Sequence, residues 1–182
     1  CYGDSNIMAS ELHVDSIKHS GGTSSMTITS GGVMSAKTAI MQVEAEDIDQ
    51  TVGASNTKVE WERVIIDTLN GWSTSNHRYT PTIAGYYLVG GCLRLRMDTI
   101  NSFFNIQIKK NGSDAAINVI ESQHQMTSDT INHGVYPCST GFIEMNGSSD
   151  YIEMWVQGDE SMTAHDSTTQ KSHFFAQLVH AT

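Results

Sequence analysis

Phe104-Asn105-Ile106-Gln107-Ile108-Lys109-Lys110-Asn111-Gly112 is the stretch whose reading decides the fold. Phe104, Ile106 and Ile108 alternate with Asn105, Gln107 and Lys109, and a period of two places one set on each face of a sheet. Asn111-Gly112 closes the run with two residues that tolerate positive φ, as a type I′ hairpin turn requires. A hairpin to Ala115–Ile120 is therefore predicted. Outward from it, Ile152, Met154 and Val156 alternate with Tyr151, Glu153 and Gln157, and Asn146-Gly147 predicts a second hairpin between 141–145 and 151–156. Asn70-Gly71 is a third such pair. Tyr86 to Arg96 is nearly continuous in apolar residues, as expected of a central strand covered on both sides. Phe174, Ala176 and Leu178 mark a last strand. Short strands at roughly ten-residue spacing predict an all-β, antiparallel sandwich, jelly roll or barrel.

The texture changes along the chain. Residues 1–55 hold one aromatic, Tyr2, whereas aromatics are frequent from Trp61 onward. Aromatics supply much of the buried area of a core, so a compact head is expected over 56–182 and an extension over 1–55. In the extension, Leu12, Val14 and Ile17 and then Met26 to Thr29 read as short strands between Gly-Gly turns. Such pieces bury no core alone and call for partner subunits. Ala36 to Ile48 fits either an amphipathic helix or a strand.

The 182 residues carry a net charge of −10, which opposes binding to nucleic-acid phosphates. Charged residues make up 16%, so the surface is built largely of Ser, Thr, Asn, Gln and Gly. No apolar run of transmembrane length occurs, and no membrane insertion is expected. Residues 1–7 lack the features of a signal peptide, and Met8 reads as a start of translation. Cys1, Cys92 and Cys138 are odd in number and widely spaced, so no disulfide is expected. Cys92 reads as a small buried hydrophobe, and folding in a reducing cytoplasm is the corresponding expectation.

Tyr79-Thr80-Pro81-Thr82-Ile83-Ala84-Gly85-Tyr86-Tyr87 resembles the signature of the C1q/TNF-like jelly roll, in which an aromatic and a Pro lead through small residues to Gly and an aromatic strand. Lys110-Asn111-Gly112, Ser139 to Ile143, Asp150 to Val156 and Phe174 to Val179 are similar to later parts of that family. Ser149-Asp150 stands where Gly-Asp is usual, and Ala176 where Gly is. Leu12 to Gly22 with Met26 to Thr29 resembles segments of tail-fibre and virion-surface proteins of bacterial viruses. Together the resemblances imply a homotrimeric virion-surface protein of a tailed phage, made in the host cytoplasm. Residues 1–55 would attach it to other virion proteins and help trimerisation, and the head would bind a host surface glycan or protein. Capsid decoration with a stabilising role and a glycan-degrading tailspike are the alternatives.

Chemical motifs are sparse. His124 and His133 lie in a polar stretch with Asp129 between them, and solvated loop histidines are the expectation there. Glu44 to Asp49 lacks the spacing of a calcium loop. Glu121, Asp129, Glu144 and Asp150 match glycosidase carboxylates by type only. No Gly-x-Ser-x-Gly elbow and no phosphate loop is present. A non-enzymatic protein without a cofactor is expected, with a calcium or other metal ion on the trimer axis as the one ion the reading leaves room for. The stretches 121–133 and 158–171 are expected to be long loops, and loops on a β scaffold commonly carry binding. With 72–77 they supply the candidate receptor surface: Trp72, Asn76, His77, His124, Gln125, Asp129, His133, Asp159 and His165.

Overall fold

A computed structural model describes residues 16–18, 24–28, 34–36, 38–45, 49–96, 102–114, 119–125, 134–165 and 172–182. Among these residues every regular element is a strand. In chain order they are β1 (Ser16–Lys18), β2 (Ser24–Ile28), β3 (Met34–Ala36), β4 (Ile40–Glu44), β5 (Asp49–Gly53), β6 (Thr57–Lys58), β7 (Arg63–Asp67), β8 (Trp72–Ser73) and β9 (Arg78–Tyr79). They continue with β10 (Ala84–Cys92), β11 (Leu95–Arg96), β12 (Phe103–Lys110), β13 (Val119–Gln125), β14 (Gly134–Val135), β15 (Cys138–Asn146), β16 (Ile152–Gly158), β17 (Ser161–His165) and β18 (His173–Ala181).

The chain divides into two units, Cys1–Lys37 and Thr38–Thr182. In the first, β1, β2 and β3 form a three-stranded antiparallel sheet. The second unit holds three antiparallel sheets: five strands in the order β15-β10-β18-β4-β7, four in the order β14-β11-β17-β5, and six comprising β13-β12-β16-β9-β8 with β6 paired to β16. Residue 56, the expected start of the head, falls inside this unit. β4 and β5 precede it and pair with β18 and β17. Ala36 to Ile48 thus contains a strand: Met41 and Val43 face the core while Ile40, Gln42 and Glu44 do not.

One core joins the inward faces. Met41, Val43, Tyr87, Val89, Met145 and Phe174 from the five-stranded sheet meet Tyr79, Phe104, Ile106, Ile108, Met154 and Val156 from the six-stranded one. Trp61 is fully buried and stacks on Phe174, with centroids 6.3 Å apart, and Trp72 meets the same ring edge-on at 6.2 Å. Each such large side chain contributes roughly 1.5–3 kcal/mol by leaving water.

The hairpin expected at Asn111-Gly112 is present. Both residues have positive φ, 56° and 65°, and Ser113 N–H donates to the Lys110 carbonyl at 3.1 Å. β12 pairs with β13 from Lys109 opposite Val119, and the expected start at Ala115 lies outside the described residues. The hairpin expected at Asn146-Gly147 does not form. Here β15 belongs to the five-stranded sheet and β16 to the six-stranded one, so the chain crosses between sheets. Asn146 shapes this crossing by accepting the backbone N–H groups of Ser148, Ser149 and Asp150 on its Oδ1, at 2.9–3.0 Å. Asn70-Gly71 likewise joins strands of different sheets, β7 and β8. The apolar run 86–96 is also two strands, β10 and β11, in different sheets. β10 is covered on one face only, because Tyr86 remains exposed.

The expectation that the cysteines stay free is overturned. Cys92 and Cys138 face each other across β10 and β15, with Cα atoms 4.2 Å apart, and are joined by a disulfide. Spacing along the chain did not suggest this pair because strand register, across a sequence separation of 46, is what brings it together.

Candidate functional site

The six-stranded sheet carries a polar groove on its outward face. Since Phe104, Ile106 and Ile108 point into the core, Phe103, Asn105, Gln107 and Lys109 must point out. Register then builds rows across three strands: Gln123, Asn105 and Gln157 form one, and Glu121, Gln107 and Trp155 the next. Two depressions follow these rows. One, of about 270 Å³, is lined by Phe103, Asn105, Gln123, Gln157 and Asp159, among others. The second, of about 440 Å³, is lined by Asn56, Gln107, Asp114, Val119, Glu121 and Gln157. Gln157 belongs to both.

The floor is amide. Gln107 is 7% exposed and donates its Nε2 to Glu121 Oε2 at 3.3 Å. Its Oε1, and the Oδ1 of Asn105, find no hydrogen-bond partner among the described residues. At one end, Asp159 Oδ1 accepts Phe103 N–H at 3.0 Å and fixes the wall on which the exposed Phe103 ring stands. At the other end the charges are paired. Lys109 is buried, contacts Asp114 and lies 5.0 Å over the Trp155 ring. Its hydrogen bond and charge hold the exposed Asp114 carboxyl below the ordinary carboxylate value, with help from Asn56. Buried Glu153 accepts from Lys58 Nζ and from Trp155 Nε1, both at 3.1 Å.

The residues expected to form the receptor surface are not brought together. Trp72, Asn76 and His77 lie at the β8–β9 edge of the six-stranded sheet, while His124 and Gln125 lie on β13 at the opposite edge. Trp72 is half-buried against the core. Asn76 is exposed, and its carbonyl accepts Lys58 Nζ at 2.8 Å. His77 takes a positive φ of 46° and meets the Trp61 carbonyl at 3.2 Å. The stretch 121–133 is not wholly loop, because its first residues continue β13. There the His124 ring stacks on core residue Phe104 at 5.4 Å and pairs with Ser122 at 2.7 Å. Gln125 is exposed opposite Phe103. Asp129 and His133 lie outside the described residues. His165 ends β17, which corrects the expectation of a loop through 158–171, and its backbone pairs with Asp49. Of those nine that the structure describes, Asp159 lines the groove. Glu121 and Gln123 fall within the stretch read as a receptor-facing loop, whereas Asn105, Gln107 and Gln157 were missed because they read as ordinary polar positions of strands; the signal was the abundance of Asn and Gln on one face of the quoted stretch. Among the described residues, no group of three or more His, Cys, Asp or Glu is arranged to hold a metal ion.

The five-stranded sheet presents a different outward face. Phe142, 65% exposed, stands on β15 opposite Leu88 of β10, with exposed Tyr86 and half-buried Phe175 on the neighbouring strands. At the far edge of the same sheet, β7 exposes Val64, Ile65 and Ile66 in succession. Isolated exposed apolar residues are normal, but contiguous ones mark contact surfaces.

The second unit has the fold of a TNF-like jelly roll. It superposes on mouse APRIL with a TM-score of 0.56, at 12% identity, over 79% of this chain and 100% of that one. It superposes on the Eiger TNF of S. frugiperda with a TM-score of 0.59, at 9% identity, over 80% of this chain and 94% of that one. At such identities the likeness is one of fold. In sequence, the chain is 28% identical over 112 residues to the uncharacterized protein YqcC of Bacillus subtilis (strain 168), which spans 59% of this chain and 30% of YqcC. The chain thus matches less than a third of that relative's length. No family model matches the chain.

Proposed function

We propose that the protein is a non-enzymatic recognition protein of a phage particle surface, a homotrimer whose jelly-roll heads bind the host surface. The observation that carries the reading is the apolar outward face of the five-stranded sheet. Phe142, Tyr86 and Leu88 lie on that face near one edge of the sheet, Ile66 lies on it at the other edge, opposite Gln42, and the edge strand β7 also exposes Val64 and Ile65. Two unlike apolar patches at opposite edges of one sheet suit a head-to-tail contact, and head-to-tail contacts that close produce rings. Three heads closed in this way would cover both patches and leave the six-stranded sheet facing out. Trimerisation raises weak single-site affinity for a repetitive surface by orders of magnitude. The resemblance of 12–29 to virion-surface segments supports the particle as the place of action.

Light scattering on the purified chain tests the assembly, with three times the monomer mass of 19.9 kDa expected. Imaging of intact particles with a labelled antibody tests the location. A chain that stays monomeric at micromolar concentration overturns the reading.

A further inference from the structure

We propose that the groove over β12, β13 and β16 binds a neutral, hydroxyl-rich saccharide, read by the amides of Asn105, Gln107, Gln123 and Gln157 and stacked on Phe103. The inference rests on the reading of the head as a recognition module and supplies its ligand class.

Three observations converge. The first is the choice of side chains. A planar amide offers both donors and acceptors, as a sugar hydroxyl does, so rows of amides match vicinal hydroxyls without a net charge. Two of these amides come from one strand and two from its neighbours on either side, so the sheet holds them in fixed register. The carboxylates of Glu121 and Asp159 at the margins accept from hydroxyls and repel anionic ligands.

The second is the unfinished hydrogen bonding of the floor. Gln107 is more than nine-tenths buried, yet its Oε1 has no partner among the described residues, and the same holds for Asn105 Oδ1. An unpaired buried carbonyl costs about 1–3 kcal/mol. The bond to Glu121 fixes the Gln107 amide, whereas a half-turn of Asn105 exchanges its oxygen and its NH₂, so a ligand in the groove can complete a set of bonds that the fold leaves open.

The third is the wall. Phe103 is held by the bond from its N–H to Asp159, while its ring stays exposed beside the amides. An aromatic ring beside converging polar groups is the pairing that takes an amphipathic ligand, apolar on one face and polar at its rim. The two depressions, about 270 and 440 Å³ and both lined by Gln157, give room for more than one sugar unit.

The test is a titration of the full-length, ¹⁵N-labelled protein with galactose, glucose, N-acetylglucosamine and their short β-linked oligomers, each added separately. A sulfated disaccharide serves as the anionic control. Saturable shifts are expected in the side-chain NH₂ signals of the four amides, with at least one neutral sugar and not with the sulfated one. Gln123→Ala and Gln157→Ala, both at exposed positions, are each expected to weaken binding about tenfold, the loss of one good hydrogen bond. Phe103→Ala is expected to do the same. No saturable shift with any neutral sugar overturns the proposal, as does binding that the Gln123→Ala/Gln157→Ala double variant leaves unchanged. A trimer that adsorbs to cells equally well with and without these substitutions sinks the groove and leaves the recognition reading standing. Sugar shifts in a chain that proves monomeric do the reverse.

Discussion

Asn111 donates its side-chain amide to Asp150 at 2.9 Å, and through that bond a turn of the six-stranded sheet is tied to a crossing between sheets. Asp150 also accepts the Asn146 N–H at 2.9 Å and pairs with Lys110 at 2.8 Å, while Asn111 Oδ1 accepts the Tyr151 N–H. Two of the three Asn-Gly pairs therefore meet on one buried carboxylate. Asp150→Ala should cost about 1–3 kcal/mol, because it removes the shared acceptor of several donors at once. Urea unfolding measures this directly.

The same carboxylate predicts an acid response. Burial alone would push the Asp150 carboxyl up, but the bonds from Asn111, Lys110 and the Asn146 N–H outweigh it and hold the group below its ordinary 3.8. A carboxylate lowered by folding stabilises the protein fully above its unfolded value, and that stability fades as pH falls through the folded value. Loss of stability is thus expected below about pH 4. Unfolding midpoints taken across the acid range should show a shallower fall in Asp150→Asn than in the parent. An equal fall would remove Asp150 as a cause.

The disulfide makes the head sensitive to reductant. Cys92–Cys138 closes a loop with a sequence separation of 46, for which chain entropy alone gives up to about 4 kcal/mol. The Cys92→Ser/Cys138→Ser double variant should lose roughly 2–4 kcal/mol, and thiol reagents should destabilise the parent but not the variant. Parallel denaturant curves with and without dithiothreitol decide the point.

Self-association should fail when charge enters the apolar face. Phe142→Glu places a carboxylate where the ring stands 65% exposed, so the isolated head loses little stability while a buried contact at that position is broken. The scattering mass should fall to that of one chain with the circular-dichroism spectrum unchanged. Gln177→Glu, also exposed and opposite Leu88 on the same sheet, should weaken the assembly less.

Gly85 should accept no side chain. Its φ of 152° suits glycine, and a Cβ there would collide with the His180 carbonyl oxygen of the paired strand β18. Gly85→Ala is expected to cost about 1–3 kcal/mol, read from the thermal midpoint.

Much of the architecture could be read from local pattern. The alternation in β12 and β16, the turn at Asn111-Gly112 and the closing strand β18 all follow from rules that act within a few residues. Failures came where pairing is long-range. Asn146-Gly147 looks like Asn111-Gly112 along the chain, yet only one of them joins strands of the same sheet, because register elsewhere sends β15 to β10. The disulfide was hidden for the same reason. The groove lay in the quoted stretch itself, but Asn105 and Gln107 acquire meaning only when β13 and β16 bring Gln123 and Gln157 beside them. The expected loop surface erred in the opposite direction, since His124 is polar in sequence but stacks on the core ring of Phe104.

The position of β4 bears on how the head carries mechanical load. The chain enters the second unit at Thr38, whose hydroxyl donates to the Leu178 carbonyl, and runs straight into a strand flanked on both sides, by β18 and β7. Tension arriving along the backbone from the N-terminal side therefore enters a strand held by two ladders, and not a rim strand held by one. A head tethered through such a strand should withstand greater pulling force than its thermodynamic stability alone would indicate.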